Sequence, residues 1–198
     1  KHGYDIVDHA AVNPELGGEE GFLRFSDALD AHGLKLILDI VPNHMGVGGH
    51  ANRWWLSVLE WGRQSPLANA FDIDWERPGT RGKLLVPILG DLYGETLEKG
   101  ELQLKFDADE GSFSIWHWEH RLPICPTTYP MVLGEALTVL DDGVTAGPLL
   151  RMAEQLRALS LSDLARRDPS PVKQGEQLKR ELASLAAGSP AIRRAIAR

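Results

Sequence analysis

Between positions 19 and 32, Phe22, Phe25, Ala28 and Leu29 recur at helical spacing with charged residues between them, and Gly33 follows. This pattern predicts an amphipathic helix over about 19–32, laid against a neighbour along one face and closed by a C-terminal glycine. Next comes Leu34-Lys35-Leu36-Ile37-Leu38-Asp39-Ile40-Val41, an apolar run rich in branched side chains and ended by Pro42. It is too short for most helices and reads as a buried parallel strand. Strands covered on both faces lose the polar alternation of half-exposed ones, so a helix leading into such a run is one unit of an α/β fold. One such unit is clear in this chain.

Beyond Pro42 the pattern changes. Met45-Gly46-Val47-Gly48-Gly49 has loop composition, and Asn52 is placed to cap a helix carrying Trp54, Trp55, Val58, Leu59 and Trp61 as far as Gly62. Positions 67–80 read mostly as loop. Leu102, Leu104 and Phe106 alternate with polar residues, as do Phe113 and Ile115, and 107–112 between them has turn composition. A β-hairpin is expected there. After Pro148, Leu149, Met152, Leu156 and Leu159 return to helical spacing; a break at Pro169 and Pro171 separates them from Leu178, Leu182 and Leu185. The last third is therefore expected to be helical.

Composition narrows the function classes. With 198 residues, 43% hydrophobic and 25% charged, the chain is of ordinary globular type. A formal charge of -7 argues against a nucleic-acid partner, which needs clustered Lys and Arg, and suits a neutral polyhydroxy substrate. The single cysteine, Cys125, allows no internal disulfide and fits a reducing compartment such as the cytoplasm. No apolar run approaches the roughly 20 residues that span a bilayer, so no membrane partner is expected. Lys1-His2-Gly3-Tyr4 is neither a signal peptide nor an ordinary translation start, which suggests a piece of a longer chain.

The candidate chemistry sits at Asp39-Ile40-Val41-Pro42-Asn43-His44. A carboxylate, an amide and an imidazole emerging together past a strand end make a plausible polar cluster, since strand C-termini carry function in barrel enzymes. The same residues also suit a strand-terminating turn in which Asp39 and Asn43 merely satisfy backbone donors. Spacing alone leaves both readings open.

Asp-x-x-x-Asn-His at a strand end resembles the first signature region of the α-amylase superfamily. That resemblance implies a (β/α)8 TIM barrel with a domain inserted after its third strand, which Asp39 to His44 would be. It also implies that His44 binds the glucosyl unit at subsite −1, Asp39 supports the catalytic centre and Asn43 holds the loop. His2-Gly3-Tyr4-Asp5 with Asn13-Pro14-Glu15-Leu16-Gly17-Gly18 is similar to the loop after the family's second barrel strand. Tyr4 is then the candidate for stacking on the −1 sugar, with His2 and Asp5 ranked below it. A tyrosine merely packed in a loop is the alternative.

Asn52-Arg53-Trp54-Trp55, Leu59-Glu60-Trp61-Gly62, Phe71-Asp72-Ile73-Asp74-Trp75 and Glu119-His120-Arg121-Leu122-Pro123 resemble the maltooligosyltrehalose synthase branch of that superfamily. What this branch implies is an α/β architecture: a partial barrel over 1–44, then an inserted α+β domain over 45–198. It further implies an isomerase that converts the reducing-end α-1,4 linkage of a maltooligosaccharide to an α,α-1,1 linkage, in trehalose biosynthesis. The alternatives are another amylase-type hydrolase or transglucosylase, or a non-catalytic glucan-binding module.

Retaining glycoside chemistry needs two carboxylates flanking the bond. The signature regions that carry them in the family do not occur here, so no catalytic residue is assigned and the chain alone is expected to be inactive. No cofactor is implied. His44 and His120 lack metal-ligand spacing, so no metal is expected either. An unpaired strand edge at 34–41 can template self-association. Among the six tryptophans, Trp55 falls with Val58 and Leu59 in core spacing, while Trp75, Trp116 and Trp118 stay open as sugar platforms. Glu119, His120 and Arg121 suit either a surface ion cluster or a substrate contact.

Overall fold

The helix expected over 19–32 forms as α1, Gly18–Ala31, and Gly33 leaves it with a left-handed φ of 65°. This and all that follows comes from a computed structural model, which describes residues 3–140, 143–159 and 169–198. The chain divides into two units, Lys1–Arg53 and Trp54–Arg198.

In the first unit α1 buries no residue, and Leu23 and Phe25 are exposed. The strand expected over 34–41 does not form. That segment is irregular backbone, and Leu36, Ile37, Leu38 and Ile40 are exposed. The physical reason is that a parallel strand exists only through ladders to its neighbours. Among the described residues, the one sheet is antiparallel and lies elsewhere in the chain.

The second unit is built on helices and that small sheet. Helix α2, Arg53–Trp61, buries Val58 and Trp61, while Trp55 and Leu59 are half-buried and Trp55 tilts against Phe71 at 5.1 Å. The core spacing of this group is thus realised as packing. A short helix α3, Tyr93–Glu98, precedes the predicted hairpin, which forms as β1, Gln103–Asp107, and β2, Ser112–His117. Its register pairs Leu104 with Ile115 and Phe106 with Phe113. Asp107 Oδ1 shapes the turn by accepting from the N–H groups of Asp109 and Glu110, each at 3.0 Å. A third strand, β3, His120–Pro123, extends the sheet into a meander in the order β1-β2-β3.

Four helices complete the unit: α4, Tyr129–Thr138; α5, Gly143–Arg157; α6, Ser170–Gly188; and α7, Pro190–Ile196. Helix α5 starts before Pro148 rather than at it, with the proline inside the helix. Pro148 is past the first turn, whose donors are unpaired anyway, so the helix forgoes the hydrogen bond that residue 148 would give to Val144 O. The expected break at Pro169 and Pro171 is the N-terminus of α6, a position that suits proline's fixed φ. Leu149, Met152, Leu156, Leu178 and Leu182 are buried, together with Phe113, Tyr129, Leu133 and Ile192. No helix among the described residues is long and apolar enough to cross a membrane.

Tyr129 ties the sheet to the helices. Its ring meets Phe113 edge-on at 4.8 Å, and its oxygen accepts a hydrogen bond from Phe113 N at 3.1 Å. Burial pushes the phenol well above its ordinary pKa, so it stays neutral. Tyr129→Phe removes this buried acceptor without changing the ring. Urea unfolding is expected to show a loss of about 1 to 3 kcal/mol; an unchanged midpoint would mean the Phe113 amide is satisfied elsewhere.

Candidate functional site

Two segments far apart in sequence carry the candidate residues, and α1 lies between them. Asn13 accepts a hydrogen bond from Glu15 N at 3.0 Å and opens a 3-10 turn, Pro14–Leu16; left-handed Gly17 then leads into α1. At the far end Leu34 N bonds to Leu29 O at 2.9 Å, which turns the chain out of the helix. Hydrogen bonds join the return segment to the opening one. Tyr4 donates its hydroxyl to Asp39 Oδ2 at 3.2 Å, the His9 ring lies with Nε2 3.2 Å from Val41 O, and Gly46 N donates to Ile6 O at 2.9 Å.

Gly46 is needed at this crossing. A Cβ placed there would stand 3.0 Å from Asp5 O and 3.1 Å from Asp5 Cβ, closer than ordinary packing allows. Asn52 Nδ2 donates to Gly46 O at 2.9 Å, so the residue expected to cap α2 also holds this loop. Asn43 and His44 lie just before the crossing and are exposed; their side chains take no hydrogen-bond partner among the described residues. The structure therefore brings Tyr4 and Asp39 together, and among the described residues neither His44 nor Asn43 hydrogen-bonds to them. Asp5 backs the Gly46 crossing. His2 lies outside the described residues.

What this pair can do follows from its exposure. Tyr4 is 50% exposed, so much of its ring is open, while its hydroxyl is oriented by the Asp39 carboxylate. An oriented aromatic face beside a carboxylate suits a polyhydroxy ring, whose C–H face is apolar and whose rim is polar. The link spans 35 positions and nothing in local spacing announces it. Among the described residues no three His, Cys, Asp or Glu side chains are grouped to hold a metal ion.

The residues left open in the second unit fall into separate settings. Arg121 turns to β2: it donates to Ser114 Oγ at 2.9 Å, Ser112 Oγ at 3.1 Å and Glu110 Oε2 at 2.5 Å. The Arg121 hydrogen bond holds the Glu110 carboxyl below its usual range. Glu119 is the residue near His120, at 4.0 Å, rather than a partner of Arg121. Trp75 lies under the Arg63 guanidinium at 5.6 Å, and Trp116 under Lys105 at 5.3 Å. Trp118 is 72% exposed.

The chain covers a small part of each relative that it resembles. Over 112 residues, 52% of this chain, it is 45% identical to the "Putative maltooligosyl trehalose synthase" of Mycobacterium tuberculosis and covers 14% of that protein. It is 37% identical over 79 residues to "Alpha-amylase SusG" of Bacteroides thetaiotaomicron, covering 40% of this chain and 11% of the relative. It is 46% identical over 48 residues to "Malto-oligosyltrehalose trehalohydrolase" of Arthrobacter ramosus, covering 24% and 8%. No solved structure matches. The stretch that holds Tyr4, Asp39, Asn43 and His44 lies within residues 1–67, which match the family described as "Alpha amylase, catalytic domain".

Proposed function

We propose that this chain is part of a maltooligosyltrehalose synthase and supplies one wall of its −1 glucosyl subsite. The observation that carries the reading is the Tyr4–Asp39 hydrogen bond, formed by two exposed side chains within the stretch that matches the amylase catalytic domain. In this reading Tyr4 stacks on the −1 sugar, Asp39 supports the catalytic centre and orients the Tyr4 hydroxyl, His44 binds the −1 glucosyl unit and Asn43 holds the loop; His2 contributes from the same segment. Residues 1–44 are part of a (β/α)8 barrel, and 45–198 are the domain inserted after its third strand. The exposed apolar run at 34–41 supports this, because Leu36, Ile37, Leu38 and Ile40 all lack the cover that a parallel barrel strand has on both faces. The same uncovered run can pair with a second copy when the chain is isolated.

In the complete enzyme an acid protonates the glycosidic oxygen while a carboxylate attacks the anomeric carbon, giving a glycosyl-enzyme and a retained glucose. The freed glucose turns, and its anomeric hydroxyl attacks the same carbon, losing its proton to the former acid. An α,α-1,1 linkage forms and the carboxylate leaves. Exclusion of water separates this outcome from hydrolysis. Neither carboxylate is assigned to this chain, and the compartment we propose is the cytoplasm.

The test has two arms. The isolated 198-residue chain is expected to yield neither trehalose-ended product nor free glucose from maltopentaose. In the complete enzyme His44→Ala is expected to lower turnover roughly a hundredfold, as loss of one preorganised donor does, with the melting temperature nearly unchanged. A large drop in melting temperature with unchanged turnover would assign His44 to folding alone. Free glucose as the main product would favour an amylase-type hydrolase, and glucan binding without turnover by the complete protein would favour a binding module.

A further inference from the structure

The turn joining β2 to β3 is two residues long, Trp118-Glu119, and Trp118 sits in it with a left-handed φ of 53°. Tight hairpins place Gly, Asn or Asp at such positions because they take this conformation with little steric cost. A bulky aromatic there is a backbone outlier. Burial does not offset the strain, since Trp118 is 72% exposed and its ring meets the His117 ring only at 6.2 Å, edge-on. Backbone strain of this kind persists at sites where it presents a functional group.

The neighbouring side chains indicate what the indole is presented to. Glu119 is 71% exposed at its side chain, and the His120 imidazole lies 4.0 Å from its carboxylate. The turn therefore holds an exposed indole next in sequence to a carboxylate acceptor, with an imidazole one residue further on. Stacking on the C–H face of a pyranose with hydrogen bonds to its hydroxyls uses this set of groups. The chain's formal charge of -7 disfavours a polyanionic ligand.

We infer that Trp118, with Glu119 and His120, forms a second sugar contact that stacks on a glucosyl unit of an α-1,4-glucan, separate from Tyr4 and Asp39. The choice of an α-1,4-glucan rests on the proposed function; the stacking role rests on the turn.

The experiment is affinity electrophoresis of the 198-residue chain in native gels containing soluble amylose, alongside thermal melts. Trp118→Gly is expected to weaken retardation about tenfold while raising the melting temperature by a few degrees, because glycine relieves the left-handed strain. Trp118→Phe, which keeps a stacking ring, is expected to stay within about threefold of the parent. Equal retardation of Trp118→Gly and the parent overturns the inference, as does a parent chain that amylose does not retard. A glycine variant that loses both retardation and melting temperature assigns Trp118 a packing role and overturns it as well. Tyr4→Ala with His44→Ala separates the two ideas. Loss of retardation in that double variant with none in Trp118→Gly leaves the −1 reading standing alone, and the converse leaves the Trp118 contact standing alone.

Discussion

Lys179→Met is expected to destabilise the chain by about 3 to 5 kcal/mol, the range for removing one partner of a buried ion pair. The Lys179 ammonium on α6 lies 2.9 and 3.0 Å from the two carboxylate oxygens of Glu60 on α2, and 3.0 Å from Glu176 Oε1. Trp61 Nε1 donates to the same Glu176 oxygen at 3.1 Å. Both Glu60 and Lys179 are 9% exposed. Burial by itself would lower the Lys179 pKa, but Glu60 and Glu176 outweigh it and hold the ammonium above its usual range. Burial also pushes the Glu60 carboxyl up despite its ammonium partner. Methionine would fill the space of the lysine stem and leave two carboxylates facing each other.

The pH dependence of that loss gives the sign. As pH falls through the raised Glu60 pKa, the carboxyl takes up a proton and no longer needs a cation. Lys179→Met should therefore cost less in acid than at neutral pH, as urea unfolding at the two conditions would show. The double variant Lys179→Met with Glu60→Leu should regain most of the loss, since an apolar pair of similar volume does not leave a buried charge unpaired. A neutral-pH loss below about 1 kcal/mol, the range of an exposed pair, would mean that water reaches this cluster.

How much of this was legible along the chain depends on the range of the interaction. The β1-β2 hairpin is legible because Leu104, Phe106, Phe113 and Ile115 alternate and Asp107 supplies turn chemistry between them. Strand β3 is not, since its turn is made of Trp118 and Glu119 where a glycine or asparagine would have marked it. The run at 34–41 is legible as a segment that seeks cover on both faces, yet the strand expected there would need a ladder to partner strands, which no periodicity within the run supplies. The Glu60–Lys179 pair joins positions 119 apart, and each residue taken singly reads as a surface charge. At the candidate site the Asp39, Asn43 and His44 types are visible in a short motif. Which of them meets Tyr4 is decided by the folded loop.

Gly111→Ala is expected to cost on the order of 3 to 4 kcal/mol, combining left-handed strain with overpacking against a rigid backbone. Gly111 ends the β1-β2 turn with φ at 61°, and a Cβ there would fall 1.9 Å from Lys179 O and 2.7 Å from Ala183 N. Those are backbone atoms of α6, which cannot rotate aside as a side-chain tip can. The turn must lift or the helix must shift, and either movement disturbs the core that Phe113 and Leu182 share. Gly100 is the control: its φ is 69°, but a Cβ there would meet nothing within 4 Å. Gly100→Ala should lose only the conformational part, about 1 kcal/mol. Asparagine separates the two causes further, because it tolerates the left-handed region yet still carries a Cβ. Gly100→Asn should be nearly neutral, whereas Gly111→Asn should stay strongly destabilising, as read from urea midpoints of the four variants. Matching losses at the two positions would show that the turn is not seated on α6, and that backbone conformation alone demands glycine at Gly111.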